Sequence, residues 1–474
     1  MQKIYKKRFF TAVALFFALS GALILFSYFG DPCNIYGFRN TYQACSPRYF
    51  QAGRIRRHLY ENSDFETLSI GSSVSENFLA SEIEKYLGWK KTMRLYIPGY
   101  YIKELDSALR YALESGKIRK VLWGLDALRY ETRDGVYLTG TSFPYELYNT
   151  SIWDDFQHLT SFSNLRMFYY GHSEKRIRDK HYPRTGENED FDFWADSPFS
   201  FAFAHNFTSN APQQPKPPLW NPENREFPYV DAYIVSLAEQ YPDVEFYLFF
   251  PPYAYVYPNL PLLADVYDDY LDMRSYLVKR TAGRPNVKVF DFLNLEEITG
   301  NMAYYRDIGH YQPNINTAML KLMGQERGRL TPENIDRHVA ELSARINAYQ
   351  PYIDFEATTA GEKTYYTLPA PLVRQSEDGA PVVVRTGKIV YPHAKTMVVK
   401  IRADVPNDGL LTVTGEFRND RGKFIPIPLK KGENTDYFVI NMLPAEQELT
   451  FSFAAGKGEY TLQAIEIRQM KEDF

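Results

Sequence analysis

The sequence predicts an α/β domain built on a parallel sheet, held to a membrane by one N-terminal helix and followed by a β-sandwich. Three observations predict this. An uncharged apolar run spans Phe9 to Phe29. From Phe65 to Ala348, apolar strand-like runs alternate with helical patterns. After Pro351, short alternating strands are separated by turn signals. The length of 474 residues exceeds one typical core and implies two or three domains. With 45% hydrophobic and 24% charged residues, a large folded core is expected rather than disorder. A net charge of −4 without a basic excess argues against a dedicated nucleic-acid binder.

Residues 1–30 form the cytoplasmic tip and the anchor. Lys3, Lys6, Lys7 and Arg8 precede the apolar run, and Asp31 follows it. The run is long enough to cross a bilayer as a helix, and the flanking charge puts its N-terminus in the cytoplasm and the rest outside. Ala18-Leu19-Ser20 resembles a cleavage site, but the apolar run continues well beyond it. The reading is therefore an uncleaved single-pass anchor in the cytoplasmic membrane rather than a cleaved signal peptide. Residues 31–64 read as a connector with a helix near Phe50–Leu59. Its Arg54, Arg56 and Arg57 are expected on a solvated helix face, the alternative being contact with anionic lipid or an acidic polymer. The only two cysteines, Cys33 and Cys45, lie there; on the outer side a disulfide between them is expected, the alternative being two unpaired thiols.

The α/β domain is expected over 65–350. Its strands are Phe65–Ile70, Met93–Ile97, Val121–Leu125, Val244–Phe250 and Val287–Phe290. Its helices are Phe78–Leu87, Ile102–Leu113, Val230–Gln240, Leu262–Arg280, Asn314–Met323 and Pro332–Ala348. A long insert, about 130–228, carries Trp153, Trp194, Trp220 and the Pro-rich stretch Pro212–Pro222. Such inserts serve as covers or binding loops. Its aromatics are expected either to pack the insert onto the sheet or to stack on sugar rings. Residues 351–474 form the β-sandwich, with strand runs such as Val398–Arg402, Leu449–Phe453 and Ile465–Arg468.

The chemistry gathers around Ile70-Gly71-Ser72-Ser73-Val74-Ser75, where a buried strand turns into a helix. Such a turn presents a serine hydroxyl at the mouth of a sheet, near a helix N-terminus that favours developing negative charge. Serine nucleophiles need a base and an acid that orients it. Asp307-Ile308-Gly309-His310 supplies both in one loop beyond the last strand. Asp155-Phe156-Gln157-His158 has the same spacing but lies in the insert. The loops at the C-terminal edge of a parallel sheet share one mouth, so Ser73 and His310 can meet there. No P-loop and no clustered metal-ligand spacing occurs, so no cofactor is expected.

Gly71-Ser72-Ser73, then Gly99, then Gly124-Leu125-Asp126, then Asp307-x-x-His310 follow the block order of the SGNH/GDSL hydrolase superfamily, which residues 65–330 resemble. The resemblance is closest to the membrane-anchored, extracytoplasmic branch that modifies bacterial cell-surface polymers. That branch includes the alginate O-acetylation factors and the DltD-like proteins of teichoic acid D-alanylation. The resemblance implies a flavodoxin-like sheet and ester hydrolysis or acyl transfer. Carried over, Ser73 is the nucleophile, His310 the base, Asp307 its partner and Gly99 a backbone oxyanion donor. The third block departs from the pattern, with Asp126 where the family has an Asn donor. Either Asp126 is protonated, or it has a structural role, or the oxyanion hole has two backbone donors only. The expected partners are a cell-surface glycan or similar polymer, the membrane, and a membrane-bound O-acyltransferase. The alternative is a non-catalytic scaffold or glycan-binding protein beside such a system.

Overall fold

A computed structural model describes residues 2–31, 33–37, 47–61, 65–126, 143–162, 164, 226–255, 264–305, 309–349, 353–390, 395–415, 424–442 and 446–471. Helix α1 (Gln2–Gly30) contains the apolar segment, and Ile4–Gly30 is long and apolar enough to cross a membrane. Helix α2 (Pro47–Ile55) continues into a π-helical turn, Arg56–Glu61.

The α/β sheet is assembled from β1 (Thr67–Gly71), β2 (Thr92–Tyr96), β3 (Lys120–Gly124), β4 (Glu245–Phe250), β5 (Val287–Asp291) and β6 (Arg329–Leu330). Their order across the sheet is β2-β1-β3-β4-β5-β6. All neighbours run parallel except the short β6, which is antiparallel to β5. The first five strands thus follow the 2-1-3-4-5 order of doubly wound sheets, with the reversal of direction between β1 and β3. β1 is buried at every position, as a strand covered on both faces must be. Helices α3 (Ala80–Leu87) and α4 (Ile102–Glu114) connect the first three strands. α3 ends at Gly88, whose φ of 69° makes the left-handed cap that stops it.

In the α/β unit the strand and helix limits agree with the sequence expectations to within about three residues, whereas the strand expected at Ile465–Arg468 already begins at Gly458. β6 was not expected, because two residues carry no periodicity. The arginine expectation is corrected for two of its three residues. Arg54 is buried, donating to Gln51 Oε1 at 3.1 Å and to the Arg94 carbonyl. Arg56 is held internally by Asp155 at 2.9 Å. A long aliphatic stem lets an arginine lie inside while its fork finds fixed acceptors. Cys33 is buried and disulfide-bonded; Cys45, the only other cysteine in the sequence, lies outside the described residues.

The second unit carries β7 (Thr364–Thr367), β8 (Leu372–Ser376), β9 (Val382–Val390), β10 (Lys395–Val405), β11 (Gly409–Thr414), β12 (Phe424–Leu429), β13 (Gly432–Met442), β14 (Glu446–Ala454) and β15 (Gly458–Gln469). One sheet runs β13-β10-β15-β7 with β8 also on β15; the other runs β12-β11-β14-β9. All pairings are antiparallel. Alternate residues such as Leu449, Phe451 and Phe453 face a shared core with Ile465 and Ile467. The outer face of the first sheet joins the α/β core through Val398 and Val439.

Candidate active site

The site begins where β1 ends. Ser73, Val74 and Ser75 form a single 3-10 turn, and Ser72 caps it by accepting from the Val74 N–H at 3.4 Å. The turn lies close against the sheet because two glycines leave room for it. A Cβ on Gly71 would overlap Ser75 Oγ and lie 2.7 Å from Ser75 Cβ. One on Gly124, in the neighbouring β3, would also overlap Ser75 Oγ and lie 2.9 Å from the Phe249 ring. Ser75 therefore enters a notch at the reversal point of the sheet, and Ser73 is left half-buried at the mouth.

His310 meets it from the far end of the domain. Ser73 Oγ and His310 Nε2 are 2.7 Å apart, a short hydrogen bond between residues 237 positions apart in sequence. A bridge between Tyr305 and Tyr311 closes the loop that carries His310, and Gln312 N–H donates to the Tyr304 carbonyl at 3.0 Å. The loop is tied to the nucleophile turn as well. Tyr311 OH and Asn316 Nδ2 both donate to the Val74 carbonyl, at 3.1 and 3.0 Å. Tyr305 OH donates to the Pro252 carbonyl at 2.5 Å. Asn316 belongs to the helix Pro313–Gly324. Sequence reasoning missed Tyr311, Asn316 and the notch for Ser75, since none of them belongs to a motif.

Asp307 lies outside the described residues. Gly99 sits in a turn directly after β2: Tyr100 N–H donates to the Ile97 carbonyl at 3.1 Å, with Pro98 and Gly99 between them. The Gly99 φ of 62° is what position three of a type II turn requires. Ile97 N–H donates to the Gly71 carbonyl at 2.9 Å, so this turn borders the end of β1. Asp126, just beyond β3, is 4% exposed and accepts from the Tyr253 hydroxyl. Burial first, and then the nearby Asp126 carboxylate, push the Tyr311 hydroxyl well above its ordinary pKa. Tyr311 therefore stays neutral and acts as a donor.

The other Asp-x-x-His pair is not a catalytic arrangement. His158 is buried, and Asn164 Nδ2 bonds to its backbone carbonyl at 2.8 Å. Burial, and then the charge of Arg56, lower its pKa to about 4. Asp155 spends its carboxylate on Arg56. Trp153 is 86% exposed, so it does not pack onto the sheet; Trp194 and Trp220 lie outside the described residues. Among the described residues no cluster of metal-ligating side chains occurs.

No protein-family model and no curated protein matches the chain. Among solved structures, the chain is similar to a carbohydrate-binding module (CBM6cm-2) of Cellvibrio mixtus lichenase 5A in complex with cellotriose. The match is 12% identical and covers 23% of this chain and all of that one, at a TM-score of 0.18. A family 35 carbohydrate-binding module from Clostridium thermocellum matches at 8% identity over 23% of this chain and 98% of its own, at a TM-score of 0.17. A glycoside hydrolase family 43 arabinoxylan arabinofuranohydrolase from Bacillus subtilis matches at 12% identity over 21% of each chain, at a TM-score of 0.17. Likeness at these scores carries no argument about activity.

Proposed function

We propose that this chain is a membrane-anchored, extracytoplasmic serine O-acyltransferase or acylesterase acting on a cell-surface polysaccharide or related polymer. The observation that supports it most is the 2.7 Å hydrogen bond between Ser73 Oγ and His310 Nε2 at the mouth of the parallel sheet. In this reading His310 Nε2 takes the Ser73 proton as Oγ attacks an ester carbonyl. Asp307, three residues before His310, orients the imidazole. The oxyanion is met by backbone N–H groups of Ser73 and Gly99; Ser73 heads its helical turn, so its N–H has no acceptor inside that turn. The leaving alkoxide regains the proton from His310. Water or a sugar hydroxyl, deprotonated by His310, then releases the acyl group from Ser73. A membrane-bound O-acyltransferase is the partner that would supply the acyl group.

A non-catalytic scaffold is the competing reading. It draws support from Asp126, which stands where an Asn donor is expected and is engaged by Tyr253. A fluorophosphonate probe applied to the detergent-solubilised full chain separates the two. The proposal expects labelling of wild type, none of Ser73→Ala and strongly slowed labelling of His310→Ala. Equal labelling of wild type and Ser73→Ala would remove its support.

A further inference from the structure

We infer that the stretch from Ile152 to Phe162 is a membrane-seating surface whose apolar side chains enter the interfacial layer of the bilayer that α1 crosses. Outside α1, the large aromatic side chains left exposed among the described residues are Trp153 at 86%, Phe162 at 76% and Phe156 at 61%. All three fall in one ten-residue stretch, beside the 52% exposed Ile152. Exposed apolar groups scattered singly are ordinary, but a contiguous set marks a surface that meets something apolar. Trp and Phe in particular favour the level of the lipid headgroups and upper acyl chains.

The partner is named by what the stretch touches. It contains helix α5 (Phe156–Leu159), and α5 packs against α1. The outer third of α1 is correspondingly covered along one side, with Ser20, Leu23, Ile24, Ser27 and Tyr28 half-buried or buried. The uncharged run Phe9–Phe29 is 21 residues, or about 31 Å of helix, which matches about 30 Å of hydrocarbon. The last turn of α1, with Ser27 and Tyr28, therefore lies at the boundary of the hydrocarbon, and the inference sets the aromatic stretch at that level.

The junction does not let the domain swing away. Asp31 accepts from the N–H groups of Ile35 and Tyr36, at 2.6 and 3.0 Å. The Tyr36 ring lies 4.7 Å from that of Tyr28 and 5.7 Å from the Arg56 guanidinium. Arg56 in turn pairs with Asp155, one residue before α5. From the same connector, Gln51 Nε2 donates to the Tyr96 carbonyl at 3.1 Å, at the end of β2 beside the candidate site. The anchor, the aromatic stretch and the sheet edge are thus linked by fixed contacts. The charge next to the patch is acidic, Asp154, so the attraction is to the apolar layer of a phospholipid surface rather than to anionic headgroups.

The test uses the full chain in phosphatidylcholine liposomes, with an environment-sensitive nitrobenzoxadiazole label on Trp153→Cys or, separately, Phe162→Cys. Both positions are exposed, and Cys33 is disulfide-bonded, so the label goes to the new thiol. Doxyl-labelled lipids carry the quencher at shallow or deep acyl positions. The inference expects blue-shifted emission at both sites and stronger quenching by the shallow doxyl than by the deep one, unchanged when phosphatidylglycerol is added. Absence of doxyl quenching overturns it, whether the emission is that of water because the side chain stays in solvent or is blue-shifted because a second copy covers it. Quenching that appears only with anionic lipid overturns it as well.

Discussion

Gly71→Ala probes how the nucleophile turn is held. The added methyl would overlap Ser75 Oγ and stand 2.7 Å from Ser75 Cβ, whereas ordinary contact begins at about 3.4 Å. Ser75 must therefore retreat by roughly 0.7 Å. Gly71 itself is fixed by its pairing with Tyr96, so the turn moves rather than the strand. Ser73 lies two residues away in the same turn, and a comparable movement stretches its 2.7 Å bond to His310 to roughly 3.4 Å, beyond a good O–H···N distance. Misplacement approaching 1 Å costs on the order of 10²-fold in rate. Overpacking costs about 1–3 kcal/mol, which a domain with about 5–15 kcal/mol of stability tolerates. The assay is the second-order rate of fluorophosphonate labelling, with thermal unfolding measured in parallel. The expected result is a fall of about 10²-fold in the folded variant, largely restored in Gly71→Ala/Ser75→Gly, because glycine removes both atoms that the methyl meets. A folded Gly71→Ala that reacts at the wild-type rate refutes the reasoning. So does a folded double variant as slow as the single one.

Two further predictions concern the frame. His158 is held neutral, with its pKa lowered from 6.5 to about 4, so its contribution to stability is complete above pH 6.5 and is lost as pH falls towards 4. This lowering corresponds to about 3 kcal/mol, to be read as loss of hydrogen-exchange protection in the peptide around Phe156–Asn164; His158→Gln should flatten that pH dependence. Arg274 and Asp291 form a fully buried pair at 2.6 Å, joined by His338 at 2.9 Å. Burial alone would raise the Asp291 carboxyl, but Arg274 and His338 outweigh it and hold it well below the ordinary carboxylate range. Arg274→Met leaves that charge without its main partner and should cost about 3–5 kcal/mol in denaturant unfolding. Most of this should return in Arg274→Met/Asp291→Leu.

Much of the frame was legible because it rests on period. Buried runs such as Leu68-Ser69-Ile70 and Val121-Leu122-Trp123 are bounded by glycines, and a helical pattern follows each of the first two strands. Ser73 and His310 were legible because the loops at one edge of a parallel sheet converge, and each stands in a short motif there. What the sequence hid depends on contacts between distant segments. Nothing around Tyr311 or Asn316 signals that both grip the Val74 carbonyl. Gly124 reads as a strand end until Ser75 is seen to need its missing side chain. Arg54 and Arg56 have the composition of a solvated face, and only their fixed acceptors bring them inside. Trp153 has the composition of an insert that packs on the sheet, yet it is exposed, three residues before a helix that packs on α1.

The central claim is that Ser73 is a nucleophile driven by His310. Peptide mass spectrometry of the full chain, quenched shortly after exposure to p-nitrophenyl acetate, tests it most directly. The account predicts an acetyl group on the Ser73 hydroxyl of wild type, and almost none there in His310→Ala. Acetylation of Ser73 to the same extent in both proteins, or acetylation only elsewhere in the chain, would contradict it.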